Sequence, residues 1–169
     1  VVCGAVGNED GRGDILRIIS MLYFAYGSNM DVEQLKERFK KISDANFSVI
    51  GVVILPKYDF RFNKKSTVDG SGKANIISDQ KSEVEGVIFE LTNEQFEVLD
   101  EIEKGYHREN MMVNLQKRYR EVITYIADSK SLCEGLSPTE EYLEKITKGA
   151  KYFNLSKSYQ EKLSSYKTK

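Results

Sequence analysis

Two stretches of this chain carry residue types that could do chemistry. The first is Met21 to Asp31, MLYFAYGSNMD. Met21 to Tyr26 suit a buried strand, and Gly27, Ser28 and Asn29 break it at once. Asp31 then opens a helix-like segment with acidic residues in its first turn. A strand that stops and feeds a helix N-terminus leaves backbone N–H groups without partners. With the helix dipole, such groups make a pocket for a carboxylate or phosphate. The same residues also suit a plain turn in which Ser28 or Asn29 only caps the helix.

The second stretch is NEQFEVLDEIE, residues 93–103. At helical spacing Phe96, Val98, Leu99 and Ile102 share one arc, and Glu94, Glu97, Asp100, Glu101 and Lys104 take the other. Glu103 falls inside the apolar arc. A carboxylate there is costly unless paired or protonated. Burial would raise its pKa toward neutrality, where it could both take and give a proton. The competing reading has Glu103 in a frayed last turn, reaching water or pairing with Lys104 or Arg108.

Other polar groups carry less. His107 lies in a charged loop, Gly105-Tyr106-His107-Arg108, that could close over a pocket; a lone exposed His there is given no catalytic role. A single His also rules out His-rich zinc sites and weakens any Ser-His-Asp proposal. Cys3 and Cys133 make no metal spacing, and a reducing, cytoplasmic compartment fits them. Tyr142 and Tyr159 on the late helices read first as core residues with satisfied hydroxyls. Lys and Arg number 25 against 26 Asp and Glu, which argues against nucleic acid or an anionic membrane as partner. No apolar run approaches a membrane span. Neither G-x-G-x-x-G nor G-x-x-x-x-G-K-[ST] occurs, which removes the common nucleotide-binding readings.

The elements that must position these residues follow from periodicity. After the opening strand, Val32, Leu35, Phe39 and Ile42 predict a helix over Asp31–Ile42 with its basic side in water. Strands are expected at 47–55, ended by Pro56, and at 58–62, 74–78, 84–91, 111–115 and 121–127. Residues 63–73 read as a polar loop. Thr92 and Gln95 form a capping-box pattern for a helix over Thr92–Glu103. Helices follow over 138–149 and 157–166, the last capped by Ser156. This order lacks regular βαβ alternation and predicts a single α+β domain, a mixed, mostly antiparallel β-barrel flanked by helices. Residues 1–20, rich in Gly and charge and without periodicity, are expected to be an extension or arm preceding a domain at 21–169.

Tyr26-Gly27-Ser28-Asn29 after an aromatic strand, Leu99-Asp100-Glu101-Ile102-Glu103, Gly149-Ala150-Lys151 and Tyr159-Gln160-Glu161-Lys162-Leu163 together resemble the γ-glutamylcyclotransferase family, with its AIG2-like fold. The resemblance runs from about Met21 to Leu163. It implies a small β-barrel flanked by helices, and an enzyme that releases 5-oxoproline from γ-glutamyl amino acids or peptides without metal or organic cofactor. It assigns Glu103 as the catalytic carboxylate. It assigns Tyr23, Phe24, Ala25, Tyr26, Gly27, Ser28 and Asn29 to the loop that holds the γ-glutamyl group. Tyr142 matches a tyrosine of the substrate site and Tyr106 a further pocket tyrosine. The family commonly carries Gly after the catalytic Glu, where this chain has Lys104. That departure bears on the leaving group.

The implied partner is a small γ-glutamyl molecule, and a homodimer is compatible with the sequence. Two alternatives stand beside this reading: a γ-glutamylamine cyclotransferase, and a non-catalytic binding module on the same fold.

Overall fold

The computed structural model describes residues 20–169; the expected extension at 1–20 lies outside this range except for Ser20. Ser20 opens β1 (Ser20–Ala25), paired with Thr92, and its hydroxyl donates to Glu90 at 2.6 Å. The remaining strands are β2 (Ser48–Lys65), β3 (Gly72–Thr92), β4 (Tyr106–Leu115) and β5 (Arg118–Ala127). They form one five-stranded sheet in the order β2-β3-β1-β5-β4. The β1–β5 pairing is parallel, and the β1–β3, β2–β3 and β4–β5 pairings are antiparallel. Four helices flank the sheet: α1 (Val32–Phe39), α2 (Asn93–Ile102), α3 (Glu140–Tyr152) and α4 (Lys157–Ser164).

This is the α+β domain that the sequence predicts, with one correction. The sheet curls, and Leu115 Cδ1 on β4 lies 3.7 Å from where a Cβ on Gly51 of β2 would stand. Yet no ladder joins these outer strands, so the sheet is open rather than a closed barrel. Pro56 has no N–H to donate and sits in outer strand β2, where such a residue is tolerated.

Pro56 also explains why the expected strands 47–55 and 58–62 are one. It does not end β2; the register slips between Pro56 and Tyr58, with Lys57 at φ 67°. The expected loop 63–73 shrinks to a turn at 66–71, because β2 and β3 both extend into it. β4 starts at Tyr106 rather than Met111, which puts Tyr106, His107 and Arg108 in a strand. Gln116 and Lys117, both at positive φ, form the tight turn to β5. Helix ends follow their caps. Asp31, Thr139 and Ser156 each accept a backbone N–H, and Thr92 and Gln95 complete the capping box.

The core lies between the sheet and the helices. Phe24, Phe39, Phe60, Phe89 and Phe96 are fully buried in it, with Met30, Leu35, Leu91 and Leu99. Helix α3 packs on the turn after β1 through Gly149. A Cβ there would stand 2.6 Å from Met30 Cβ and 2.7 Å from its carbonyl carbon. The Gly-Ala-Lys motif is thus a close-approach point that holds the turn in place. Among the described residues no helix is long and apolar enough to cross a membrane.

Candidate active site

The turn predicted at Gly27–Asn29 is a 3-10 turn over Ser28–Met30, placed between β1 and α1. Met30 N–H donates to Gly27 O and Asp31 N–H to Ser28 O, both at 3.0 Å. The N–H groups of Gly27, Ser28 and Asn29 donate to no acceptor among the described residues. The turn lines a small pocket of about 30 Å³ together with Tyr23, Tyr26, Ala74, Glu103, Tyr106, Tyr125 and Tyr142. Gly27 packs closely against β3: a Cβ there would stand 3.2 Å from Ala74 Cβ, a tight contact, and 3.8 Å from the Tyr142 hydroxyl, an ordinary one.

Glu103 reaches this pocket from the end of α2. It lies just past the helix as its C-cap, its N–H donating to Leu99 O at 2.8 Å. The inward face is Gln95, Phe96, Leu99 and then Glu103, while Ile102 turns outward and is 41% exposed. The carboxylate is not alone on an apolar face, as the sequence reading had it. Its Oε1 accepts from Arg38 at 2.8 Å and from Asn29 Nδ2 at 3.0 Å. Asn29 is the junction: its Nδ2 also donates to the Tyr23 hydroxyl at 2.8 Å, and its Oδ1 accepts from Arg38 at 2.5 Å. Neither competing partner takes Glu103, since Arg108 is held by Asp100.

The tyrosines are fixed donors and acceptors. Burial pushes Tyr23 and Tyr26 above the ordinary phenol value, and nearby charges, Glu103 among them, add to it. Burial likewise raises Tyr106 strongly, and Tyr142 to about 12. All four therefore stay protonated near neutral pH. Tyr26 donates to Tyr125 O at 2.5 Å and Tyr106 to Ala74 O at 2.7 Å, while Tyr142 accepts from Ala74 N–H at 3.2 Å. The two late pocket tyrosines thus hold one residue of β3, Ala74, by its N–H and its C=O.

Of the residues singled out from sequence, Tyr23, Tyr26, Gly27, Ser28, Asn29, Glu103, Tyr106 and Tyr142 meet at this pocket. Phe24 and Ala25 do not. Strand alternation turns Phe24 away from Tyr23 and over Gly86, and the Ala25 methyl is buried short of the pocket. Tyr159 is buried on α4, away from it. Three pocket partners went unnamed: Arg38, Tyr125 and Ala74. Arg38 was expected on the watery side of α1, but it stands one turn after Leu35, beside the apolar stripe, which was its one available signal.

Asp100 holds the end of α2 that carries Glu103. It accepts from Arg108 Nε at 2.8 Å and from the Tyr125 hydroxyl at 2.7 Å. The Arg108 hydrogen bond, opposed by partial burial and helped by Tyr125, keeps its carboxyl below the usual 3.8. A depressed folded pKa stabilises above the unfolded pKa, and this is lost as pH falls through the folded value. Asp100→Asn is therefore expected to lower the melting temperature at neutral pH. The gap to wild type should close as the medium is taken below about pH 4.

Comparison with known proteins gives the arrangement a family. The AIG2-like family matches residues 83–163. Gamma-glutamylcyclotransferase of Homo sapiens is 31% identical over 148 residues, 85% of this chain and 77% of that protein. The Bos taurus protein of the same name is 28% identical over 171 residues, 96% of this chain and 84% of its own. A solved structure described as a gamma-glutamyl cyclotransferase superposes with a TM-score of 0.77 at 27% identity, covering 89% of this chain and 90% of that one. The chain belongs to the γ-glutamylcyclotransferase family of enzymes.

Proposed function

We propose that this protein releases 5-oxoproline from γ-glutamyl amino acids or peptides, with Glu103 as the single acid–base group. One observation carries the reading. Glu103 is held by Arg38 and Asn29 at the rim of a pocket whose floor offers the free N–H groups of Gly27–Asn29. The substrate's own α-amine is the nucleophile, so the site chiefly enforces a folded conformer. Glu103 takes a proton from the α-ammonium, and the amine attacks the γ-carbonyl carbon. The new C–N bond closes a five-membered ring and leaves a tetrahedral oxyanion, which backbone N–H groups stabilise. Collapse breaks the original C–N bond: Glu103 gives its proton to the departing amine, then takes the surplus proton from the ring nitrogen and passes it to the freed amine, which leaves neutral 5-oxoproline and an ammonium. No water is consumed. Arg38 and Asn29 both bond the same carboxylate oxygen, which leaves Oε2 to face the reacting nitrogens.

The purified protein is expected to convert a γ-glutamyl dipeptide to 5-oxoproline and free amino acid, with the rate unchanged by a chelator. Product analysis across dipeptides, glutathione and γ-glutamyl amines checks this. Absence of 5-oxoproline from all of them would leave the binding-module reading in its place.

A further inference from the structure

Outside Glu103 the pocket opens into a cleft of about 340 Å³ that shares Ser28, Glu103, Tyr106 and Tyr142 with it. Against the one carboxylate of Glu103, its wall sets Arg38, Lys64, Lys73 and Lys104. Arg38 is spent on Glu103 and Asn29. Lys64 is different. It is only 7% exposed, lines the cleft, and its ammonium meets no hydrogen-bond or ion-pair partner among the described residues. Its Nζ stands 5.1 Å from the centre of the Tyr106 ring. The other acid acting on it, Asp128, is bonded to His107 Nδ1 at 2.9 Å. Lys73, partly buried, stands likewise over an aromatic face, its Nζ 4.4 Å from the centre of the Tyr142 ring, and has no carboxylate partner among the described residues.

A buried ammonium without a counter-charge is costly, and a cation–π contact offsets only part of that cost. Burial pulls the Lys64 pKa below the usual lysine value, with Glu103 opposing the shift. An arriving anion would supply the missing partner. The cleft runs from Ser28 and Glu103 to Lys64 and Lys73, so an amine protonated by Glu103 would depart into it.

Building on the cyclotransferase reading, we propose that Lys64 and Lys73 form an anion subsite for a carboxylate on the leaving group. They would thereby select γ-glutamyl amino acids and peptides over γ-glutamyl amines that lack one. Lys64 and Lys73 act on specificity, while Glu103 moves the protons.

The test compares γ-glutamyl-alanine and glutathione with γ-glutamyl ethylamide. Wild type is expected to favour the two carboxylate-bearing substrates by about 10- to 100-fold in kcat/KM, the size of one charge-assisted hydrogen bond. The arm in which Lys64→Met removes more of the preference shows whether the near or the distal carboxylate is read. Lys64→Met should shrink the ratio toward one, chiefly through KM, and Lys64→Arg should restore it. Lys73→Met should shrink it independently, and Lys81→Met, an exposed charge elsewhere on β3, should not. A calorimetric arm needs no turnover. The Glu103→Gln protein should bind γ-glutamyl-alanine at least about tenfold more tightly than the ethylamide, and adding Lys64→Met should close that gap. Equal handling of both substrate classes by wild type would overturn the subsite, as would a parallel loss on both in Lys64→Met. Failure of all turnover with the binding gap intact would instead count against the cyclotransferase reading alone.

Discussion

Glu103→Gln is expected to lower kcat by about 10²–10⁴-fold while the protein stays folded and binds substrate, because a general acid–base group contributes about that much. Gln keeps an oxygen that can still accept from Arg38 and Asn29, so the network survives in shape. It cannot take the proton from the α-ammonium. The pair with Arg38 is partly exposed, 18% for each side chain, so its loss should move stability by no more than about 1 kcal/mol. Steady-state kinetics with a γ-glutamyl dipeptide separates the cases. A loss confined to KM would make Glu103 a binding group. Glu101→Gln is the control: Glu101 is exposed on the outer face of α2 and should be nearly silent. If Glu101 proved essential and Glu103 did not, the acid–base assignment would fall.

Gly149→Ala is expected to destabilise the protein even though Ala favours helix over Gly. The propensity gain is about 1 kcal/mol. Against it, the added Cβ would meet the Met30 side chain at 2.6 Å and Met30 backbone atoms at 2.7 and 2.8 Å. Backbone cannot rotate out of the way as the tip of a side chain can. Overpacking of this kind costs about 1–3 kcal/mol, and here it sits at the upper end, so the net loss should be about 1–2 kcal/mol. The melting temperature should fall by roughly 2–8 °C. The same push acts on the turn that carries Asn29 and the free N–H groups, so KM should rise in the folded variant as well. A rise in melting temperature would mean that α3 stands further from the turn than described.

Both substitutions fall on residues that were legible in sequence, but for different reasons. Glu103 stood out because helical phase set it among Phe96 and Leu99, and the structure keeps that line even though the helix ends one residue earlier. The Gly149 motif was visible only through resemblance; nothing in local periodicity says that a glycine in α3 must touch Met30. Strand lengths were misread where local signals were strongest. Pro56 looked like a stop, and outer strand β2 absorbs it with a bulge. The polar run at 63–73 looked like a loop, and cross-strand pairing drew both of its ends into the sheet.

By itself, the sequence determined the features whose causes are local: the broken strand at Gly27–Asn29, the helix start at Asp31, the helix caps at Thr92 and Ser156, and the inward phase of Glu103. Each depends on residues within a turn or two of itself. The tertiary structure alone decided which distant groups complete the site. Arg38 and Glu103 are 65 positions apart, and Tyr142 and Ala74 are 68 apart. It also decided that Phe24 and Ala25 stay in the core and that the sheet remains open. It left Lys64 buried over Tyr106 with no carboxylate paired to it among the described residues. Such pairings follow from how β1, β3 and the ends of α1, α2 and α3 pack together, and the energy of packing is summed over contacts that no spacing along the chain encodes.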